Sequence, residues 1–266
     1  MFDLTAYLFG LIAVLGFGFV FWLVSIAKRD VSIVDSLWSL MFLLASGVYF
    51  VSLGDTGSRA TLLLVLVTVW ALRLSAHITV RNLGEGEDYR YREIRANNQP
   101  GFVFKSLYIV FGLQAVLAWI ISMPLLLSLN SSAPLGWLDG LGVALWIVGM
   151  IFEAGGDYQL LRFKADKNNH GKVLDTGLWR YTRHPNYFGE ACIWWGYFAI
   201  AVSAGGWWSV YAPLLMTFLL LRVSGVAMLE KTIQERRPAY RQYIERTNAF
   251  FPGPRKPVPV QKEVRS

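Results

Sequence analysis

The chain has 266 residues, 55% of them hydrophobic, with a mean hydropathy of +0.41, which is too apolar for an ordinary soluble domain and too short for two large ones. Charged residues make up only 16%, yet Lys and Arg outnumber Asp and Glu by seven, so the polar segments are strongly basic and call for an anionic partner or leaflet. A single cysteine, Cys192 within an apolar stretch, excludes an intrachain disulfide and leaves too few thiols for a cysteine-based metal or iron–sulfur site.

Seven apolar runs approach the ~20 residues needed to cross a bilayer: 4–27, 33–53, 61–80, 107–129, 135–152, 187–204 and 207–226. The first lacks the basic flank and small-residue cleavage site of a signal peptide, so it is expected to persist as a helix. Gly205-Gly206 leaves a minimal connection between the last two runs, and Pro213 is placed to kink the seventh. Of the 25 Lys and Arg, 22 lie after the first, third, fifth and seventh runs, whereas the opposite connections carry only Arg59. The positive-inside rule then predicts an all-α integral membrane protein with about seven transmembrane helices, its N-terminus outside and its C-terminus cytoplasmic. One membrane domain is expected over 1–266: substrate-side helices over 1–130, cofactor-binding helices and cytoplasmic loops over 131–252, and a flexible tail over 253–266.

The densest polar chemistry begins at the end of the fifth run with Glu153-Ala-Gly-Gly-Asp157-Tyr158. It continues through Arg162, Lys164, Lys167, Asn168, Asn169 and Lys172, and closes with Arg180-Tyr-Thr-Arg183-His184-Pro185-Asn186-Tyr187-Phe188-Gly189-Glu190. A loop of this composition suits a phosphate-rich ligand: cations and amides neutralise phosphate oxygens, Asp157 or Glu190 accepts from ribose or amide groups, and tyrosine faces stack on rings. A positive-inside loop lying on anionic membrane lipids explains the cations as well, but not the interleaved acids, which are costly at the ends of apolar spans unless paired. Within the spans, ionisable groups are few: Asp35 just inside the second, Arg73 and His77 one turn apart on the third, and Arg222 on the seventh. Arg73 and His77 share a helix face and are placed to meet Asp35 in a polar pocket.

Arg183-His-Pro-Asn-Tyr-Phe-Gly-Glu190, preceded by Gly155-Gly-Asp-Tyr158 and followed by Arg222, Glu230 and Arg237-Pro-Ala-Tyr240, resembles the steroid 5α-reductase superfamily, in its bacterial branch of uncharacterised, DUF1295-like membrane proteins. Part of the pattern is shared with the isoprenylcysteine carboxyl methyltransferases and the sterol C14 and C7 reductases. The resemblance implies an inner-membrane enzyme that reduces a C=C bond conjugated to a carbonyl in a lipophilic, steroid- or isoprenoid-like substrate. It implies an NADPH pocket facing the cytoplasm, formed by Asp157, Lys164, Lys172, Asn186, Glu190 and Arg222, with Arg183, His184, Tyr187 and Glu230 beside them. Two positions depart from the reductase pattern there, Glu153 for an asparagine and Lys164 for an arginine. The catalytic Gln-Glu pair of the resembled reductases reads Val34-Asp35 here, and their tyrosine position reads Trp70. The proton donor is therefore expected to be Asp35, His77 or a nearby tyrosine.

An S-adenosylmethionine-dependent methyltransferase and a non-catalytic lipid-binding protein are the alternatives, and the cation count favours the phosphorylated dinucleotide. No glycine-rich dinucleotide fingerprint, Walker lysine or HExxH pattern occurs, and His77, His170 and His184 lack metal-ligand spacing. Nothing calls for nucleic acid or an obligate protein partner.

Overall fold

The computed structural model describes residues 2–54, 57–223 and 239–257, and the regular elements among them are all helices, without a strand. In chain order the helices are α1 (Leu4–Lys28), α2 (Ile33–Leu53), α3 (Ser58–Asn82), α4 (Tyr89–Asn97), α5 (Phe102–Ile121), α6 (Met123–Leu129), α7 (Trp137–Ala165), α8 (Pro185–Ser203), α9 (Trp207–Val223) and α10 (Ala239–Arg246). Helices α1, α2, α3, α5 and α7 are long and apolar enough to cross a membrane, and α9 is a shorter apolar helix. The chain is accordingly an integral membrane protein.

Helix α1 shows how the bilayer reverses the usual pattern. Leu8, Ile12, Leu15, Phe19, Leu23 and Ile26 are exposed at helical spacing, while Tyr7, Gly10, Val14, Gly18, Trp22 and Ser25 are buried. The buried face is the one with the small residues, because helices in lipid associate by close packing rather than by hiding apolar surface. At Gly10 a side chain would collide with the ring of Tyr49 on α2. Asp3 starts the helix by accepting from the Ala6 amide at 2.8 Å.

The expected run 107–129 is two helices. Leu107–Gly112 is a π-helical stretch inside α5, and the Ser122 amide donates to both Ala118 and Trp119 carbonyls where α5 ends. Pro124 then falls in the first turn of α6, where its missing N–H is no loss. Pro213 likewise sits early in the α-helical part of α9, and the π-helical stretch of that helix comes later, at Leu219–Val223.

Two compact units are present, Met1–Trp146 with Trp194–Leu215 and Ile147–Ile193 with Met216–Ser266, and the divisions fall within helices α7, α8 and α9. In the first unit Phe42, Trp70, Trp194 and Tyr197 form a fully buried aromatic cluster with centroids 4.6–6.2 Å apart, and Tyr197 accepts from the Trp146 indole at 3.2 Å. Arg59 is also fully buried there. Its guanidinium pairs with Asp139 through Nε at 2.8 Å and Nη2 at 3.0 Å, and donates further to Ser131, Ser203 and the Ala133 and Pro134 carbonyls. The one cation on the sparsely charged connections is therefore neutralised inside the protein.

In the second unit the backbones of α7 and α8 cross without a spacer. A Cβ at Gly189 would lie 2.5 Å from the Gly149 carbonyl oxygen and collide with the Glu153 amide, so only glycine permits the approach. The segment after α10 is irregular and tied to the turn before α8: Arg183 N donates to Asn248 O, Thr182 Oγ1 to Phe250 O, and Gly253 N to Tyr181 O, at 2.9, 2.8 and 3.0 Å. Arg255 pairs with Asp175, which holds the chain down through residues 252–257.

Candidate functional site

Asp35 lies in the first turn of α2, and its carboxylate is held by two donors from α4. Arg90 Nη2 donates to Oδ2 at 2.7 Å and Tyr91 Oη to Oδ1 at 2.5 Å. Gln114 Nε2 on α5 donates to the Tyr91 oxygen at 3.1 Å, so three helices converge on one phenol. Helix α4 is itself fixed from its N-terminus: Asp88 caps it by accepting from Arg90 N at 2.9 Å, and also takes Arg90 Nε at 3.0 Å. One residue earlier, Glu87 accepts from the Val31 amide at 3.0 Å and from both Nε and Nη2 of Arg95. This polar latch closes the connection between α3 and α5 over the start of α2.

Electrostatically the latch keeps its charges. Burial would raise the Glu87 and Asp88 carboxyls, but the hydrogen bonds from Arg95 and Arg90 outweigh it and hold both below their ordinary values. Burial would likewise lower Arg90, and the Asp35 and Asp88 carboxylates hold it above the usual range. Burial pushes the Tyr91 phenol well up, with the adjacent Asp35 charge adding to the effect, so Tyr91 stays a proton carrier at every physiological pH.

Sequence reasoning placed Asp35 against Arg73 and His77 on α3. The partners the structure gives Asp35 are Arg90 and Tyr91, 55 and 56 residues away. Both Arg73 and His77 are half-buried on α3. Trp70, at the position of the resembled tyrosine, belongs to the aromatic cluster of the first unit.

The proposed cofactor residues that the structure describes belong to the second unit. Helix α7 does not stop near residue 152 but runs to Ala165, so Glu153, Asp157 and Lys164 are helical rather than in a loop. Nothing over 153–165 breaks a helix except the Gly155-Gly156 pair, and Gly156 is packed against Pro185. Arg162 and Lys164 fall in the last turn, where cations oppose the helix dipole. Asp157 is buried and accepts from Asn186 Nδ2 at 3.2 Å, while Asn186 Oδ1 accepts from the Tyr187 amide at 3.1 Å. His184 is buried and stacks on Tyr187, centroids 5.5 Å apart and 7° from parallel.

Arg183 and Glu190 are buried too, the Arg183 Nη1 donating to the Ile244 and Thr247 carbonyls at 3.1 and 2.5 Å. Lys164, Lys172 and Arg222 are exposed, and Glu230 lies outside the described residues. Glu153, which sequence comparison with the reductases marked only as a departure, is a further buried acid of this unit. A cleft of about 400 Å³ is lined by Tyr158, Arg162 and Phe163 of α7 and by Asn169 and Thr176 beyond it. Arg162 lies over the Tyr158 ring at 5.8 Å.

An all-helical membrane protein with a half-buried acid–arginine pair bonded to a buried tyrosine in one unit and buried acids interleaved with bases in the other is the class these observations define. The chain belongs to the family described as protein of unknown function (DUF1295), whose model matches residues 21–247. It is 24% identical over 282 residues to an uncharacterised protein of the fission yeast Schizosaccharomyces pombe, covering 94% of this chain and 81% of that one. It is also similar to 3-oxo-5-alpha-steroid 4-dehydrogenase 1 of Bos taurus, 35% identical over 80 residues, and of Homo sapiens, 32% identical over 87 residues. Those matches cover 30% and 33% of this chain, and span about a third of the length of each dehydrogenase.

Proposed function

We propose that the protein is an NADPH-dependent membrane reductase of a C=C bond conjugated to a carbonyl in a lipophilic, steroid- or isoprenoid-like substrate. The observation that carries the proposal is the Tyr91–Asp35 pair: a buried phenol kept protonated, bonded at 2.5 Å to a carboxylate that Arg90 fixes. The similarity to steroid dehydrogenases supports an oxidoreductase, and Tyr91 supplies an acid that position 70 does not.

Bound NADPH would supply a hydride for the β-carbon. The task left to the protein is to receive the charge that then develops on the carbonyl oxygen. Tyr91 Oη–H, turned from Asp35 toward that oxygen, donates to it, and Gln114 stays bonded to the phenol oxygen while it does so. Asp35 and Arg90 set where the phenol sits, and His77 is the second proton carrier of the site. The donor set of the second unit fits the cofactor: Lys164, Lys172, Arg222 and Arg162 carry exposed charge for phosphates, and the Asp157–Asn186 pair offers an acceptor and a donor for ribose or carboxamide. Arg183, His184, Tyr187, Glu190 and Glu230 complete the set, with the His184–Tyr187 stack offering a flat face.

In this proposal α8 and α9 join the five long helices as the sixth and seventh spans, in a bacterial inner membrane, with the N-terminus outside and the cofactor residues cytoplasmic. Residues 1–130 then serve the substrate and 131–252 the cofactor, within one membrane domain that needs membrane lipids but no protein partner.

The test is cofactor binding to the full-length, detergent-purified chain, comparing NADPH, NADH and S-adenosylmethionine. NADPH should bind, Asn186→Ala should weaken it about tenfold, and Tyr91→Phe should bind normally while losing about 10²–10⁴ in turnover of an enone. Binding of S-adenosylmethionine alone would instead make the protein a methyltransferase.

A further inference from the structure

The first unit carries a cavity of about 450 Å³ that neither candidate site uses. Ser25 and Ile26 line it from the last turn of α1, Phe102 and Val103 from the start of α5, and Arg29 and Arg95 supply its charge. Both helices are membrane-length, so the cavity sits where their ends meet the water boundary. Ile26 and Val103 are also exposed, which opens the apolar lining onto the lipid-facing surface.

The two arginines are held differently. Arg29 occupies the left-handed position that ends α1, with φ 55°; its amide donates to Ile26 O and the Asp30 amide to Ser25 O, at 3.2 and 3.1 Å. Glycine adopts that conformation without strain, so an arginine there projects a guanidinium from a fixed backbone at a conformational cost. Among the described residues the Arg29 side chain forms no hydrogen bond or ion pair. Arg95 lies over the Phe102 ring at 4.5 Å, and Glu87 takes its Nε and Nη2, which leaves Nη1 for a second acceptor.

We propose that this cavity binds the headgroup of an anionic phospholipid, its phosphate between Arg29 and Arg95 and its acyl chain along Ile26, Val103 and Phe104. With Arg95 already paired to Glu87, the net positive charge is that of Arg29, and it selects an anion. Continuity with the exposed apolar surface selects a lipid over a free phosphate, which would leave the hydrophobic lining in contact with water. Because Arg95 and Glu87 belong to the latch that presents Tyr91, the lipid braces α4 through the Arg95–Glu87 pair beside its capped N-terminus.

Native mass spectrometry of the full-length chain exchanged between phosphatidylglycerol and phosphatidylcholine reads the site directly. Wild type should retain phosphatidylglycerol about tenfold better, and Arg29→Gln should cut that preference about fivefold. Val103→Trp, which fills the cavity from the lipid side without touching a charge, should release the retained lipid. Equal retention of the two lipids would overturn the proposal. So would an unchanged preference in both variants, or displacement of the lipid by inorganic phosphate alone.

Discussion

Asp35 accepts two short hydrogen bonds, one from a guanidinium and one from a phenol, and the neutral amide of Asn would weaken both. Asp35→Asn should therefore lower turnover at least about tenfold while leaving NADPH affinity unchanged, with each hydrogen bond to the charged group contributing on the order of 1.5–3 kcal/mol. Full turnover in that variant would remove Asp35 from the site. Since burial and the Asp35 charge raise the Tyr91 phenol, turnover should not fall as pH rises through about 10, the ordinary tyrosine value, and a pH–rate profile that falls there would remove Tyr91 as the acid. Asp35 was legible in the sequence because a carboxyl inside an apolar run is costly without a purpose. Tyr91 was not, because it lies 56 residues away in a polar connection where tyrosine is an ordinary interfacial residue.

The long spans could be read from hydropathy because lipid imposes length and composition together, and α2 matches its expected limits residue for residue. What hydropathy cannot read is a helix that outlasts its apolar run, as α7 does through Glu153 and Asp157 to Ala165. The glycine crossing of α7 on α8 is equally silent in composition: Gly189→Ala should cost about 1–3 kcal/mol and lower the thermal midpoint by several degrees, and an unchanged midpoint would mean that the backbones do not touch. The α4 latch carries a pH signature. Glu87 and Asp88 are held below their ordinary values of 4.5 and 3.8, so their contribution is complete above those values and fades as pH falls through the lowered ones. Hydrogen exchange over residues 84–98 should stay protected at neutral pH and open only once pH has fallen below both ordinary values. Glu87→Gln should open it at neutral pH as well.

At the level of the whole chain, the charge asymmetry read from the loops becomes sharper once Arg59 is subtracted, since its charge is cancelled by Asp139 within the protein. Reporter fusions should accordingly place the connection at residues 54–57 outside and residue 257 in the cytoplasm; both on one side would refute an odd number of spans. Arg59→Ala strands Asp139 and should destabilise the protein by about 3–5 kcal/mol, whereas joint replacement of Arg59 and Asp139 by apolar residues of similar volume should be far milder.

The same arginine sets a schedule for biosynthesis. Its main partners lie 80 and 144 residues further along the chain, so Arg59 emerges from the ribosome well before Asp139 and Ser203 exist. At ordinary translation speeds that wait is on the order of ten seconds. Until the end of α8 has been made, the guanidinium needs water, lipid phosphate or the insertion machinery for company, and a chain stalled before Trp137 would present an unneutralised charge at the head of α3.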